Sequence, residues 1–75
     1  DLQGAKLRGA KLRGANMKNA DLSHANLENA DLDNTNLENA NLASSNLQGA
    51  KLENSYLRSV DLDNANLNNA NLEKV

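Results

Sequence analysis

The chain has 75 residues, with 8 Lys+Arg against 10 Asp+Glu for a formal net charge of −2, and it contains no Cys and no Pro. Such a composition describes one small domain, residues 1–75, that neither disulfides nor a thiolate metal site holds together. No apolar run exceeds two residues, so these residues hold neither a transmembrane helix nor a signal peptide.

From Leu2 to Leu72 every fifth residue is leucine, fifteen positions with Met17 as the one exception. Two residues before each leucine from Leu7 on stands a small residue, from Ala5 to Ala70, with Thr35, Ser45, Ser55 and Val60 as departures and Val75 closing the series. The residue between is mostly Asp, Asn or Lys, so the unit reads A-[DNK]-L-x-x. An α-helix would rotate successive leucines by roughly 140° and spread them around its axis. A β-strand would throw them to alternate faces, because five is odd. A backbone that turns once per repeat, with leucine always inward, satisfies the pattern. The residue two past each leucine is Gly at 4, 9, 14 and 49 and Asn at seven further positions. These residue types tolerate the positive φ that the third position of a type II turn requires. His24, Ser44, Ser59 and Lys74 break the rule and are expected in turns of another type.

Tandem A-[DN]-L-x-x units over all 75 residues resemble the pentapeptide repeat proteins. The resemblance implies an all-β fold, a right-handed quadrilateral parallel β-helix in which four pentapeptides make a coil of twenty residues. Fifteen units then give just under four coils, a solenoid roughly 18 Å long at a spacing of ~4.8 Å between stacked backbones. Leu7, Leu12, Met17, Leu22, Leu27, Leu32, Leu37, Leu42, Leu47, Leu52, Leu57, Leu62 and Leu67 are its core-structural residues, each flanked inside by the small residue. Neither end carries a capping segment, so a piece of a longer repeat region or a trimmed chain is expected.

Taken in chain order, the first coil carries Lys6, Arg8, Lys11, Arg13 and Lys18 against Asp1. The second carries Asp21, Glu28, Asp31, Asp33 and Glu38 with no Lys or Arg. A twenty-residue register stacks Arg8 on Glu28, Lys11 on Asp31, Arg13 on Asp33 and Lys18 on Glu38. The five cations lie on three sides and have no aromatic neighbour for base stacking, which reads as a self-neutralising surface and not a nucleic-acid site. Thr35 and Ser55 become stacked neighbours able to share a hydrogen bond, in a column with Ala15 and Val75. Asn26, Asn46 and Asn66 form an outward column suited to amide ladders.

Catalysis needs convergent groups in a recess. His24 is the only histidine and has no second ligand or triad partner, and Ser23, Ser44, Ser45, Ser55 and Ser59 lie in no nucleophile motif. The expectation is a non-catalytic protein, with no cofactor and no metal, acting as a structural or protein-interaction scaffold. Tyr56, the single aromatic residue, is the possible partner anchor, because aromatic side chains are enriched at hot spots. The resemblance implies a bacterial, particularly cyanobacterial, setting. It also raises an alternative: a DNA mimic that binds DNA gyrase, as quinolone-resistance members do. The net charge of −2 and the basic first coil depart from that pattern. The expected partner is a protein, with no nucleic acid and no membrane, and a cytoplasmic location is the default. The first coil at net +4 and the last residues at net −2 favour weak end-to-end association of the isolated chain.

Overall fold

A computed structural model describes residues 1–74 of the chain. The backbone is best understood by accounting for the five N–H groups of one repeat, Asn26 to Ala30. Leu27 N–H donates to the Asn46 carbonyl at 2.7 Å and Asn29 N–H to the Gln48 carbonyl at 2.8 Å, both nineteen residues ahead. Asn26 N–H donates back to the Ala5 carbonyl at 2.9 Å. Ala30 N–H closes the corner on the Leu27 carbonyl at 3.0 Å. The fifth, Glu28 N–H, donates at 3.1 Å to the side-chain Oδ1 of Asn26. Three groups thus tie coils together, one makes the turn, and a side chain takes the last, so none is left orphaned.

The inter-coil bonds and the corner bond of this accounting repeat through the first two coils and most of the third. Parallel bridges pair residues twenty apart, from Lys6 with Asn26 to Lys51 with Asn71. A turn intervenes every five residues, which gives four turns per circuit. Each bridge is a single residue, and no continuous strand forms among the described residues. The cause is spacing: with a corner every five residues, too little extended backbone remains on a side for a longer ladder. The body is nearly equal in its dimensions, 25 × 22 × 20 Å, so the chain makes a block and not an elongated rod.

All fourteen turn positions, from Gly4 to Asn69 and including His24 and Ser44 and Ser59, have positive φ, as does Lys74. His24 and Ser44 (both φ 60°), Ser59 and Lys74 (both φ 59°) therefore adopt the same turn as glycine and asparagine, and no other turn type is used there. The stack of four turns per coil dictates the corner, and the side chain accepts the strain. At Gly49 the requirement is twofold, because φ is +70° and Asn29 Oδ1 occupies the space a Cβ would take.

The core follows from the leucine column. Leu22, Leu27, Leu32, Leu37, Leu42, Leu47 and Leu52 are fully buried and Met17 nearly so. Leu7, Leu12, Leu57, Leu62 and Leu67 pack against this cluster from the outer coils and are partly buried. Burying one such side chain contributes about 1.5–3 kcal/mol, so the middle coils hold most of the apolar stabilisation. Thr35, Ser45 and Ser55 are buried where most repeats have alanine. Thr35 and Ser55 do not bond one another. Each hydroxyl donates to the carbonyl three residues back, Thr35 to Leu32 at 2.8 Å and Ser55 to Leu52 at 2.7 Å. A local carbonyl at the turn is nearer than the hydroxyl one coil away. Ser45 Oγ has no partner among the described residues. Val75, assigned to the same column, lies outside the described residues.

Candidate interaction surface

Three of every five residues face outward, and the first of them, just before the leucine, has a defined task. Asp1, Asn16, Asp21, Asn26, Asp31 and Asn36 each use Oδ1 to accept the N–H two residues on, at 3.0–3.2 Å. Asn41, Asn46, Asp61, Asn66 and Asn71 do the same at 3.0 Å. This is the Asx turn, and it explains why Asp and Asn recur there. It also replaces the expected amide ladders: Oδ1 of Asn26, Asn46 and Asn66 is spent on the chain's own backbone. Where Lys51 stands in place of an Asx residue, Asp33 of the coil below supplies the acceptor to Glu53 N–H at 2.8 Å.

The ion pairs fall at one junction. Arg8 meets Glu28 at 3.4 Å, Lys18 meets Glu38 at 2.9 Å, and Arg13 Nη2 lies 3.1 Å from Asp31 and 3.5 Å from Asp33. Arg13 thus occupies the carboxylate expected to face Lys11, and no Lys11–Asp31 ion pair forms among the described residues. Three carboxyls are held below their ordinary range. For Asp21 the cause is the Ser23 N–H and then its hydroxyl. For Asp31 it is the Asp33 N–H, followed by Arg13. For Glu38 it is the Lys18 ammonium.

Grouping outward residues by side of the circuit shows an asymmetry that reading them by coil conceals. The side built from residues 1–5, 21–25, 41–45 and 61–65 carries Asp1, Asp21, Asp61 and Asp63 and no Lys or Arg. Its other outward positions are small or uncharged, including Ser23, Ala43 and Ser44, apart from His24 exposed at a corner. The next side, from residues 6–10 to 66–70, is net +1 (Lys6 and Arg8 against Glu28). The side from residues 16–20 to 56–60 is also net +1 (Lys18 and Arg58 against Glu38). The remaining side mixes both signs. Tyr56 is 67% exposed. It borders an open depression of about 450 Å³ lined by Glu38, Ser55, Leu57, Arg58 and Lys74. Among the described residues no group of three or more His, Cys, Asp or Glu side chains is placed to hold a metal ion. No helix among the described residues is long and apolar enough to cross a membrane.

The family profile described as pentapeptide repeats, in eight copies, matches residues 1–39 and again 35–73. The chain belongs to the pentapeptide repeat family. Solved structures agree. Rfr23, a pentapeptide repeat protein from the cyanobacterium Cyanothece 51142, is 42% identical over 81% of this chain and 42% of its own, with a TM-score of 0.79. HetL from the cyanobacterium Nostoc sp. strain PCC 7120, involved in regulating heterocyst differentiation, is 34% identical over 93% of this chain and 35% of its own, with a TM-score of 0.57. The Nostoc pentapeptide repeat protein alr5209 is 36% identical over 91% of this chain and 60% of its own, with a TM-score of 0.54. These relatives are β-helical repeat proteins, and the chain spans less than two thirds of the length of each. No curated protein matches the chain.

Proposed function

We propose that this pentapeptide repeat segment is a non-catalytic protein-interaction scaffold, a right-handed quadrilateral β-helix whose acidic side docks a basic protein surface. The observation that carries the reading is the segregation of charged side chains: four carboxylates and no Lys or Arg on one side, against mixed or net positive charge on the other three. The backbone does not need that segregation, since an Asn at any of Asp1, Asp21 or Asp61 would make the same Asx turn. Like charges gathered on one flank cost self-repulsion and give selectivity for an oppositely charged partner. Tyr56, on a neighbouring side, offers an aromatic contact at the margin of such an interface. Small side chains at Ser23, Ala43 and Ser44 keep the acidic side flat enough for close approach.

The duplex-mimic reading is less favoured by the same observation. A phosphate backbone is negative all round, whereas two sides here are net positive. The test is capture of binding proteins by the wild-type chain and by three variants: Asp21→Lys with Asp61→Lys and Asp63→Lys, Tyr56→Ala, and Arg58→Glu as a control on another side. Loss of captured proteins with the triple variant and their retention with the control is expected. Identical capture by all four proteins would remove the acidic side from consideration. Supercoiling by purified gyrase, unchanged on adding the chain, is the expected result for the second reading.

A further inference from the structure

We propose that the first coil is an ionically latched unit, whose docking on the second coil depends on ionic strength far more than the junction above it does. Every ion pair found among the described residues bridges these two coils. They sit on three of the four sides: Arg8 with Glu28, Arg13 with Asp31 and Asp33, and Lys18 with Glu38. Their carboxylates are not freely solvated. Side-chain exposure is 27% for Glu28, 24% for Asp31, 12% for Asp33 and 29% for Glu38. Their cationic partners are 49–69% exposed, so the pairs stay within reach of added salt.

Other contributions to this junction are weaker than at the next one. Arg8 and Arg13 follow Lys6 and Lys11, which cannot offer the side-chain oxygen that caps the same N–H in Glu28 and Asp33. Three corners of the first coil are Gly4, Gly9 and Gly14, where the second coil has His24, Asn29 and Asn34. Glycine loses more chain entropy on folding than these residues do. On the fourth side no ion pair is found among the described residues, and Asp1 sets its carboxylate and its terminal ammonium one layer from Asp21. At the junction of second and third coils, by contrast, the leucines are fully buried. The ion pairs found among the described residues do not reach it, and Lys51 and Arg58 act on Asp31 and Glu38 there only at longer range. Salt therefore acts on the first junction far more than on the second.

Native-state hydrogen exchange of the 75-residue chain resolves the two. The amides of Leu7, Leu12 and Met17 report the first junction through their bonds to Asn26, Asp31 and Asn36. Those of Leu27, Leu32 and Leu37 report the second through Asn46, Lys51 and Tyr56. Raising salt from low ionic strength to about 1 M, where the screening length is ~3 Å, should cut protection of the first set roughly tenfold. The second set should change by less than about twofold. Arg8→Glu should lower protection of Leu7 at low salt and make it rise with added salt, as repulsion from Glu28 is screened. Exchanging the pair, Arg8→Glu with Glu28→Arg, should restore the wild-type response. Parallel loss at both junctions, no loss at either, or a swapped pair that behaves like Arg8→Glu would overturn the latch.

Discussion

Two neighbouring residues of each repeat, the leucine and the Asx residue before it, follow opposite rules. The leucine faces a dry centre and its worth is apolar area, so Leu37 can be replaced only by something of similar shape. The Asx residue faces water, and its worth is one oxygen aimed at a backbone N–H. Asp and Asn serve equally, and Lys51 is tolerated once Asp33 supplies the oxygen from another coil. The comparison teaches that polar outward positions in this fold are not all free surface. One of the three is structural, the corner residue is restricted by its positive φ, and the residue after leucine is the least constrained, with the buried and hydrogen-bonded Ser23 and Asp33 as exceptions.

The largest expected effect breaks the comparison on its apolar side. Leu37→Asp places an unpaired carboxylate in a site with no exposure. It costs several kcal/mol, comparable to the stability of so small a domain. Circular dichroism should show no cooperative unfolding transition. A variant melting near the wild-type temperature would mean the leucine does not point inward.

Next comes the Asx residue. Asn36→Ala removes the acceptor of Glu38 N–H, a 3.0 Å bond, and should cost about 1 kcal/mol in urea unfolding. Asn36→Asp keeps the oxygen and should be close to neutral. Equal losses in both would show that the amide nitrogen, and not Oδ1, matters.

Corner residues sharpen the comparison in the stabilising direction. Ser44 holds φ at 60° without being Gly or Asn, so Ser44→Asn should raise stability by about 0.5 kcal/mol. A loss would mean that the serine hydroxyl makes a contribution of its own.

Much of this was legible in the sequence because the period is the fold. A five-residue recurrence turns Leu22 to Leu52 inward. The twenty-residue register that stacks Arg8 on Glu28 is what the resemblance to pentapeptide repeat proteins implies, since the period alone does not say how many repeats close a coil. The corners are less legible: residue type alone points His24 and Ser44 to another turn, since local preference cannot show that stacking on both sides forces one φ. The amide ladders and the Thr35–Ser55 bond failed for a related reason. A side-chain oxygen satisfies the nearest backbone group first, and spacing along the chain does not reveal which is nearest. The acidic side was present in the letters, in Asp1, Asp21, Asp61 and Asp63. It emerges when every fourth pentapeptide is read together, and is hidden when charges are counted coil by coil.

Acid provides the smallest and most selective perturbation, because the leucine column has nothing to titrate and part of the Asx column does. Asp21 and Asp31 are depressed by the N–H groups they cap, and Glu38 by Lys18. A carboxyl with a lower value in the folded state binds fewer protons there than in the unfolded chain. Its contribution is complete above the unfolded value and is lost as pH falls through the folded one. The melting temperature should therefore be level near neutrality and decline on acidification below the ordinary carboxylate range. Asp21→Asn separates the turn from the charge. It retains an oxygen for Ser23 N–H, so stability at neutral pH should hold, while the acid decline becomes shallower. An unchanged acid decline would show that Asp21 stays ionised no more readily in the folded chain than in the unfolded one. A large loss at neutral pH would instead show that the charge, and not the oxygen, makes the turn.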